Sequence, residues 1–173
     1  SASTVAQQCT THPVASQKIL NSLVHLGYLR LKGKSYSLTS RSRKWMLQES
    51  ESSVHDKMMF QFVEWKLVEH YENYLQEGKP IELHRVLSEH EWEIYQKGMR
   101  AMARISAREV GTRTPVTKNA SQLLDVGGSH GYYSVALCKQ HPKLNATILD
   151  LPEAITHAAP LLAEEGMQER IMH

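Results

Sequence analysis

Residues 121–150 read Ser-Gln-Leu-Leu-Asp-Val-Gly-Gly-Ser-His-Gly-Tyr-Tyr-Ser-Val-Ala-Leu-Cys-Lys-Gln-His-Pro-Lys-Leu-Asn-Ala-Thr-Ile-Leu-Asp, and this stretch decides the fold. Leu123–Val126 is a short apolar run suited to a buried parallel strand. Gly127-Gly128-Ser129-His130-Gly131 is a turn. Tyr132–Gln140 reads as a helix stopped by His141-Pro142, because the residue before a proline disfavours the helical region. Asn145–Leu149 is a second apolar strand, with Asp150 at its carboxyl end. In such a β–α–β unit the ligand crevice lies at the carboxyl ends of the strands. Glycines in the turn let backbone N–H groups approach a ligand with no Cβ in between. Asp150, about twenty residues past Gly131, is spaced to accept hydrogen bonds from both hydroxyls of a ribose.

The glycine spacing selects among nucleoside cofactors. A dinucleotide fingerprint needs glycines at the first, third and sixth places. Here Gly127 is followed two places on by Ser129, and Gly128 by His130, so no register fits. The pattern that remains is Asp-x-Gly-x-x-x-Gly, from Asp125 to Gly131.

Upstream, residues 3–9 form a short helix and Pro13 opens a second, running to about Leu26. Ile19, Leu23 and Leu26, joined by Leu20 and Val24, make an apolar stripe at helical spacing. Gly27 is placed to end that helix in a left-handed cap. Tyr28–Leu31 and Ser35–Leu38 then alternate around a tight Lys32-Gly33-Lys34 turn, and another helix starts near Thr39. Helix–turn–helix–hairpin is the winged-helix order, over residues 1–50. Arg30, Lys32, Lys34, Arg41, Arg43 and Lys44 are a local excess of positive charge. The exposed positions of helix 13–26, however, offer Gln17, Lys18, Asn21, Ser22 and His25, a poor set for reading bases. A dimerisation or scaffold module is therefore expected over a DNA-binding regulator.

Residues 51–119 read as a helical linker region. One helix is predicted over 54–77, stopped by Gly78-Lys79-Pro80. A second, over 88–109, opens with Ser88 and Glu91 in capping-box spacing. Its apolar members are Trp92, Tyr95, Met99, Met102 and Ile105. Thr112–Asn119 reads as a linker.

The run Leu-Leu-Asp-Val-Gly-Gly-Ser-His-Gly resembles motif I of class I methyltransferases. With Leu149-Asp150-Leu151-Pro152-Glu153-Ala154-Ile155 it looks like the small-molecule O-methyltransferase family, which includes plant phenolic, acetylserotonin-type and bacterial polyketide enzymes. The resemblance implies an α/β Rossmann-like methyltransferase domain starting at 120, of which only the first β–α–β part is present, preceded by a mainly α winged-helix domain. It implies S-adenosyl-L-methionine as cofactor, with Asp125, Gly127, Gly128 and Gly131 shaping the pocket for its methionine half. Asp150 would hold the ribose and Leu151 would lie against the adenine. It implies a small, often aromatic acceptor carrying a hydroxyl, with Trp92, Tyr95, Met99 and Met102 as candidate acceptor contacts, and a homodimer. Ser129 departs from the pattern, since the family usually has Gly there. The family's general base belongs beyond the residues present; His130, His141 and His157 are at the wrong places for it, so no catalytic residue is assigned in this segment.

Bulk properties exclude other classes. A net charge of +2 over 173 residues gives no global case for nucleic acid. Cys9 and Cys138 form neither a zinc spacing nor a disulfide framework, and the ten histidines make no metal cluster, so no metal is expected. Without an apolar run long enough to span a bilayer, a cytoplasmic protein with no membrane partner is expected. Ile171-Met172 start a third strand, and two or three parallel strands alone would leave an open apolar edge. Further strands are therefore expected.

Overall fold

The computed structural model describes residues 1–173, which divide into two compact units, 1–53 and 54–173. In the first unit, α1 (Ala2–Gln8) and α2 (Pro13–His25) precede a hairpin of β1 (Leu29–Lys32) and β2 (Ser35–Leu38), and α3 (Ser40–Met46) follows. The antiparallel register runs from Leu29 opposite Leu38 to Lys32 opposite Ser35. Beyond α2, the Tyr28 N–H bonds the Leu23 carbonyl and the Gly27 N–H bonds the Val24 carbonyl. That is the paired closure by which a left-handed residue ends a helix. The Tyr36 hydroxyl donates to Asn21 Oδ1 at 2.7 Å, tying the hairpin to α2. Thr39 caps α3 by accepting from the Ser42 N–H. The predicted apolar stripe of α2 is only partly used. Leu20 is buried, but Ile19 is 62% and Leu26 68% exposed.

The second unit holds α4 (His55–Glu69), α5 (Tyr71–Glu77), α6 (Leu83–Val86), α7 (Glu89–Arg113), β3 (Gln122–Val126), α8 (Tyr132–Gln140), β4 (Asn145–Leu149), α9 (Pro152–Glu164) and β5 (Ile171–Met172). The three strands are parallel in the order β3-β4-β5. One sheet face is covered by helices: Ala146, Ile148 and Ile171 pack with Val135, Leu137, Cys138, Leu162 and Met167. The other face, carrying Leu124, Val126, Leu149 and Met172, is exposed. Arg170 donates from Nη2 to the carbonyls of Cys138, His141 and Leu144, pinning the end of α8 to the entry of β5.

Three expectations need correction. The helix predicted over 54–77 breaks at His70: α4 buries Phe60 and Val63, whereas α5 buries nothing that would hold it in line. The helix that opens at Ser88, whose capping box is present, runs on to Arg113 through part of the expected linker. A Cβ at Gly111 would lie 3.1 Å from the Ala136 carbonyl, so the glycine serves close packing on α8. Pro115 ends the helix by forcing Thr114 into an extended conformation. Residues 152–164, to which the sequence reading assigned no helix, form α9 with Pro152 in its first turn.

Candidate functional site

The turn after β3 is built from the backbone outward. The Gly127 N–H bonds the Leu149 carbonyl, extending the strand pairing into the turn, and the Gly131 N–H closes it onto the Gly128 carbonyl, each at 2.8 Å. At Gly128 a Cβ would sit 2.5 Å from the carboxyl carbon of Asp125, so only glycine lets that carboxylate lie against the turn. Asp125 is held there by the Ser134 hydroxyl, which donates to its Oδ2 at 2.6 Å from the first turn of α8. Gly131 has φ +68°, and a Cβ there would press on the Ile148 side chain at 2.6 Å.

Asp150, at the end of β4, faces the same turn. Its Oδ2 accepts the Ser129 N–H and its Oδ1 the Leu151 N–H, both at 2.7 Å. A carboxylate has about four acceptor positions, so both oxygens keep one free. Leu151 beside it is half exposed. The structure thus brings together Asp125, Gly127, Gly128, Gly131, Asp150 and Leu151 at the carboxyl ends of two adjacent parallel strands. Ser129 adopts φ +50°, the conformation glycine takes easily, and its hydroxyl donates to Gln96 Oε1 at 2.6 Å.

His130 is buried within this turn. Burial first, and then the Arg100 guanidinium, pull its imidazole down to about 4, against the weaker pull of Asp125 and Asp150. Its Nδ1 accepts the Tyr132 N–H at 3.1 Å. It is therefore neutral near neutral pH, with Nδ1 engaged by a backbone N–H.

The four candidate acceptor residues separate. Trp92 is buried between two imidazoles, with ring centroids 5.4 Å from His84 and 6.2 Å from His157, and stands edge-on to Tyr95 at 5.5 Å. It builds a wall and presents little surface. Tyr95 is half buried; burial, and then the negative charge of Asp150, push its hydroxyl above the usual tyrosine range. Met99 and Met102 are on the more open side of α7, 37% and 42% exposed. The buried side of α7 carries Gln96, Arg100, Ala103 and Ala107. Sequence reasoning missed Gln96 and Arg100, because a polar residue at helical spacing reads as solvated. Their one signal is the four-residue step from Trp92 through Gln96 to Arg100. Arg100 Nη1 pairs with Glu164 Oε2 at 2.6 Å and donates to the Leu161 carbonyl. No group of three or more His, Cys, Asp or Glu side chains could hold a metal ion.

Comparison with known proteins gives a consistent picture. The O-methyltransferase domain family model matches residues 70–173. A human protein bearing the name "Probable bifunctional dTTP/UTP pyrophosphatase/methyltransferase protein" is 24% identical over 173 residues, covering 91% of this chain and 28% of its own length. The 3-hydroxy-5-methyl-1-naphthoate 3-O-methyltransferase of Streptomyces sahachiroi is 32% identical over 79 residues, 46% of this chain and 23% of that enzyme. Human N-acetylserotonin methyltransferase, solved in complex with SAM, superposes with a TM-score of 0.81 at 18% identity, over 99% of this chain and 54% of that one. The chain spans about a quarter of the length of those curated relatives and about half of that solved structure.

Proposed function

The chain belongs to the O-methyltransferase domain family, and from that premise we propose that it forms the cofactor-binding front of an S-adenosylmethionine-dependent enzyme that methylates a hydroxyl of a small aromatic molecule. The observation that carries the proposal is the Asp150 carboxylate, pinned by the Ser129 N–H to the turn after the neighbouring strand, with acceptor capacity left over on both oxygens. A ribose diol is the ligand such a carboxylate suits.

When bound, the cofactor supplies an electrophilic methyl group on a positively charged sulfur. The residues here bind and orient it. Gly127, Gly128 and Gly131 shape the cradle for the methionine half, with Asp125 against it. Asp150 holds the ribose and Leu151 offers apolar surface to the adenine. The two carboxylates favour a cationic ligand. Transfer then depends on alignment of acceptor oxygen, methyl and sulfur, and on removal of the acceptor proton. His130 does not supply that proton acceptor, since its Nδ1 is engaged by a backbone N–H. No residue described here is assigned as that base, and Leu124, Val126 and Leu149 leave an apolar sheet face suited to packing against further helices.

An aromatic acceptor is supported by Tyr95, Met99 and Met102 on one side of α7, and by the naphthoate named for the Streptomyces relative. Trp92 supports that side from beneath. For residues 1–53 we assign a winged-helix role in homodimerisation, supported by the exposed Ile19 and Leu26. Engagement of Asn21 by Tyr36 removes one of the few base-reading groups of α2, against a DNA-binding role. A cytoplasmic location accords with the free cysteines, and no helix is long and apolar enough to cross a membrane.

The test is transfer itself. The intact protein is incubated with methyl-labelled S-adenosylmethionine and a panel of hydroxylated naphthoates, phenols and aromatic amines. The expected product is a labelled methyl ether. Label on nitrogen or carbon alone would overturn O-transfer. Cofactor binding with no product from any acceptor would favour a non-catalytic cofactor-binding scaffold.

A further inference from the structure

We propose that Gln96 is a positioning residue for the cofactor turn: through the Ser129 hydroxyl it fixes the peptide whose N–H orients Asp150, and so joins α7 to the ribose-binding carboxylate. The inference rests on the reading of Asp150 given above.

Gln96 is fully buried in α7, and a buried amide needs partners on both its oxygen and its nitrogen. Its Oε1 accepts the Ser129 hydroxyl at 2.6 Å, and its Nε2 donates to the Ala154 carbonyl in the first turn of α9 at 3.5 Å. The Ala154 carbonyl can only accept, which sets the orientation of the amide. One side chain thereby spans three elements that converge on the carboxyl ends of β3 and β4.

Ser129 is the other half of the device. A residue bearing a side chain rarely holds φ +50°, and does so where its surroundings over-determine it. Three hydrogen bonds do that here. The N–H goes to Asp150 Oδ2 at 2.7 Å and the hydroxyl to Gln96, while the carbonyl lies 3.1 Å from His173 Nε2. The resemblance that points to the family leads to a glycine at this position. A glycine would hold the turn without a tether; the serine uses one, and Gln96 supplies it. On α7, Gln96 adjoins Tyr95 and lies one turn before Met99, the candidate acceptor contacts. A shift of α7 when an acceptor binds therefore reaches the donor that orients Asp150.

The intact protein and the variants Gln96→Leu, Ser129→Gly and the double substitution are titrated calorimetrically with S-adenosylhomocysteine and with its 2′-deoxyribose analogue. The unaltered protein is expected to prefer the ribose form. Gln96→Leu should bind S-adenosylhomocysteine about tenfold more weakly, the usual consequence of leaving a buried hydroxyl unpartnered. It should also lose most of the ribose preference, a change that general loosening would not produce. The double variant should bind no more weakly than Ser129→Gly alone, because glycine leaves nothing for Gln96 to hold. Ser129→Ala, which keeps the backbone strain and removes only the hydroxyl, should lose the same preference, and it decides the matter should Gln96→Leu not fold. Unchanged affinity in Gln96→Leu, or equal weakening toward both ligands, would overturn the positioning role while leaving the cofactor assignment intact. Binding of neither ligand by the unaltered protein would overturn both.

Discussion

Gly131→Ala tests the packing of the cofactor turn against the sheet. Two costs arise from one methyl group. The first is conformational: φ +68° is disfavoured for any residue with a Cβ, by about 1–2 kcal/mol. The second is steric. The new carbon would lie 2.6 Å from Ile148 Cδ1 and 3.6 Å from Leu162 Cδ1, and Ile148 is only 1% exposed, so its side chain must move within a packed core. Overpacking of this kind costs about 1–3 kcal/mol. Together the substitution should destabilise the second unit by about 3 kcal/mol. Ile148→Val deletes the clashing atom and by itself should cost about 1 kcal/mol. In the double variant the alanine methyl occupies the space that Cδ1 leaves, so only the conformational cost persists and the loss should be about 2 kcal/mol, not 4. Urea denaturation of the four proteins, followed by far-UV circular dichroism, measures the cycle. Strict additivity, or a Gly131→Ala variant as stable as the parent, would show that Gly131 does not pack on Ile148 in this way.

Three further outcomes are expected. Gly128→Ala has no conformational penalty but drives its Cβ into the Asp125 carboxylate, so it should break the Ser134 contact. Calorimetry should show S-adenosylhomocysteine affinity falling at least about tenfold, with a stability loss under about 2 kcal/mol. His130 titrates near 4 in the folded chain, below its ordinary range, so the unfolded chain takes up the proton first as pH falls. Stability should therefore be full above about pH 6.5 and decline by about 3 kcal/mol toward pH 4, and thermal melts of His130→Asn should show a flatter dependence over that window. At the start of α7, the Lys66 ammonium and the Ser88 N–H and hydroxyl hold Glu91 down at about 2. Ser88→Ala should cost about 1 kcal/mol and raise the Glu91 titration, as followed by NMR.

The parts of this fold legible from sequence are those where local chemistry and tertiary packing agree. Tyr132–Gln140 and Asn145–Leu149 are bounded by Gly131, Pro142 and Asp150, and the structure places both elements at those bounds. Ser88 and Glu91 announce a helix start that needs no tertiary information. What was illegible depends on neighbours. Gly111 lies past the predicted helix end at 109, yet it continues α7 and packs closely on Ala136. Of the apolar members of α7, Met99, Met102 and Ile105 are exposed, while the polar Gln96 and Arg100 are buried because each finds partners on α9 or the cofactor turn. Ile19 and Leu26 share the apolar stripe of α2 with Leu20, yet only Leu20 of the three is buried. In the candidate site, the turn glycines and Asp150 stand out by their spacing, and the roles proposed for them come from the family resemblance. The Ser129–Gln96 bond joins residues 33 apart in sequence and needed coordinates.

The proposed S-adenosyl cofactor site rests on the turn after β3 and the carboxylate after β4. Calorimetric titration of the intact protein with S-adenosylhomocysteine tests it most directly, with NAD as control ligand and Asp150→Ala as control protein. The protein is expected to bind S-adenosylhomocysteine and not NAD, and Asp150→Ala to weaken that binding. Binding of NAD, or S-adenosylhomocysteine affinity indifferent to Asp150, would contradict it.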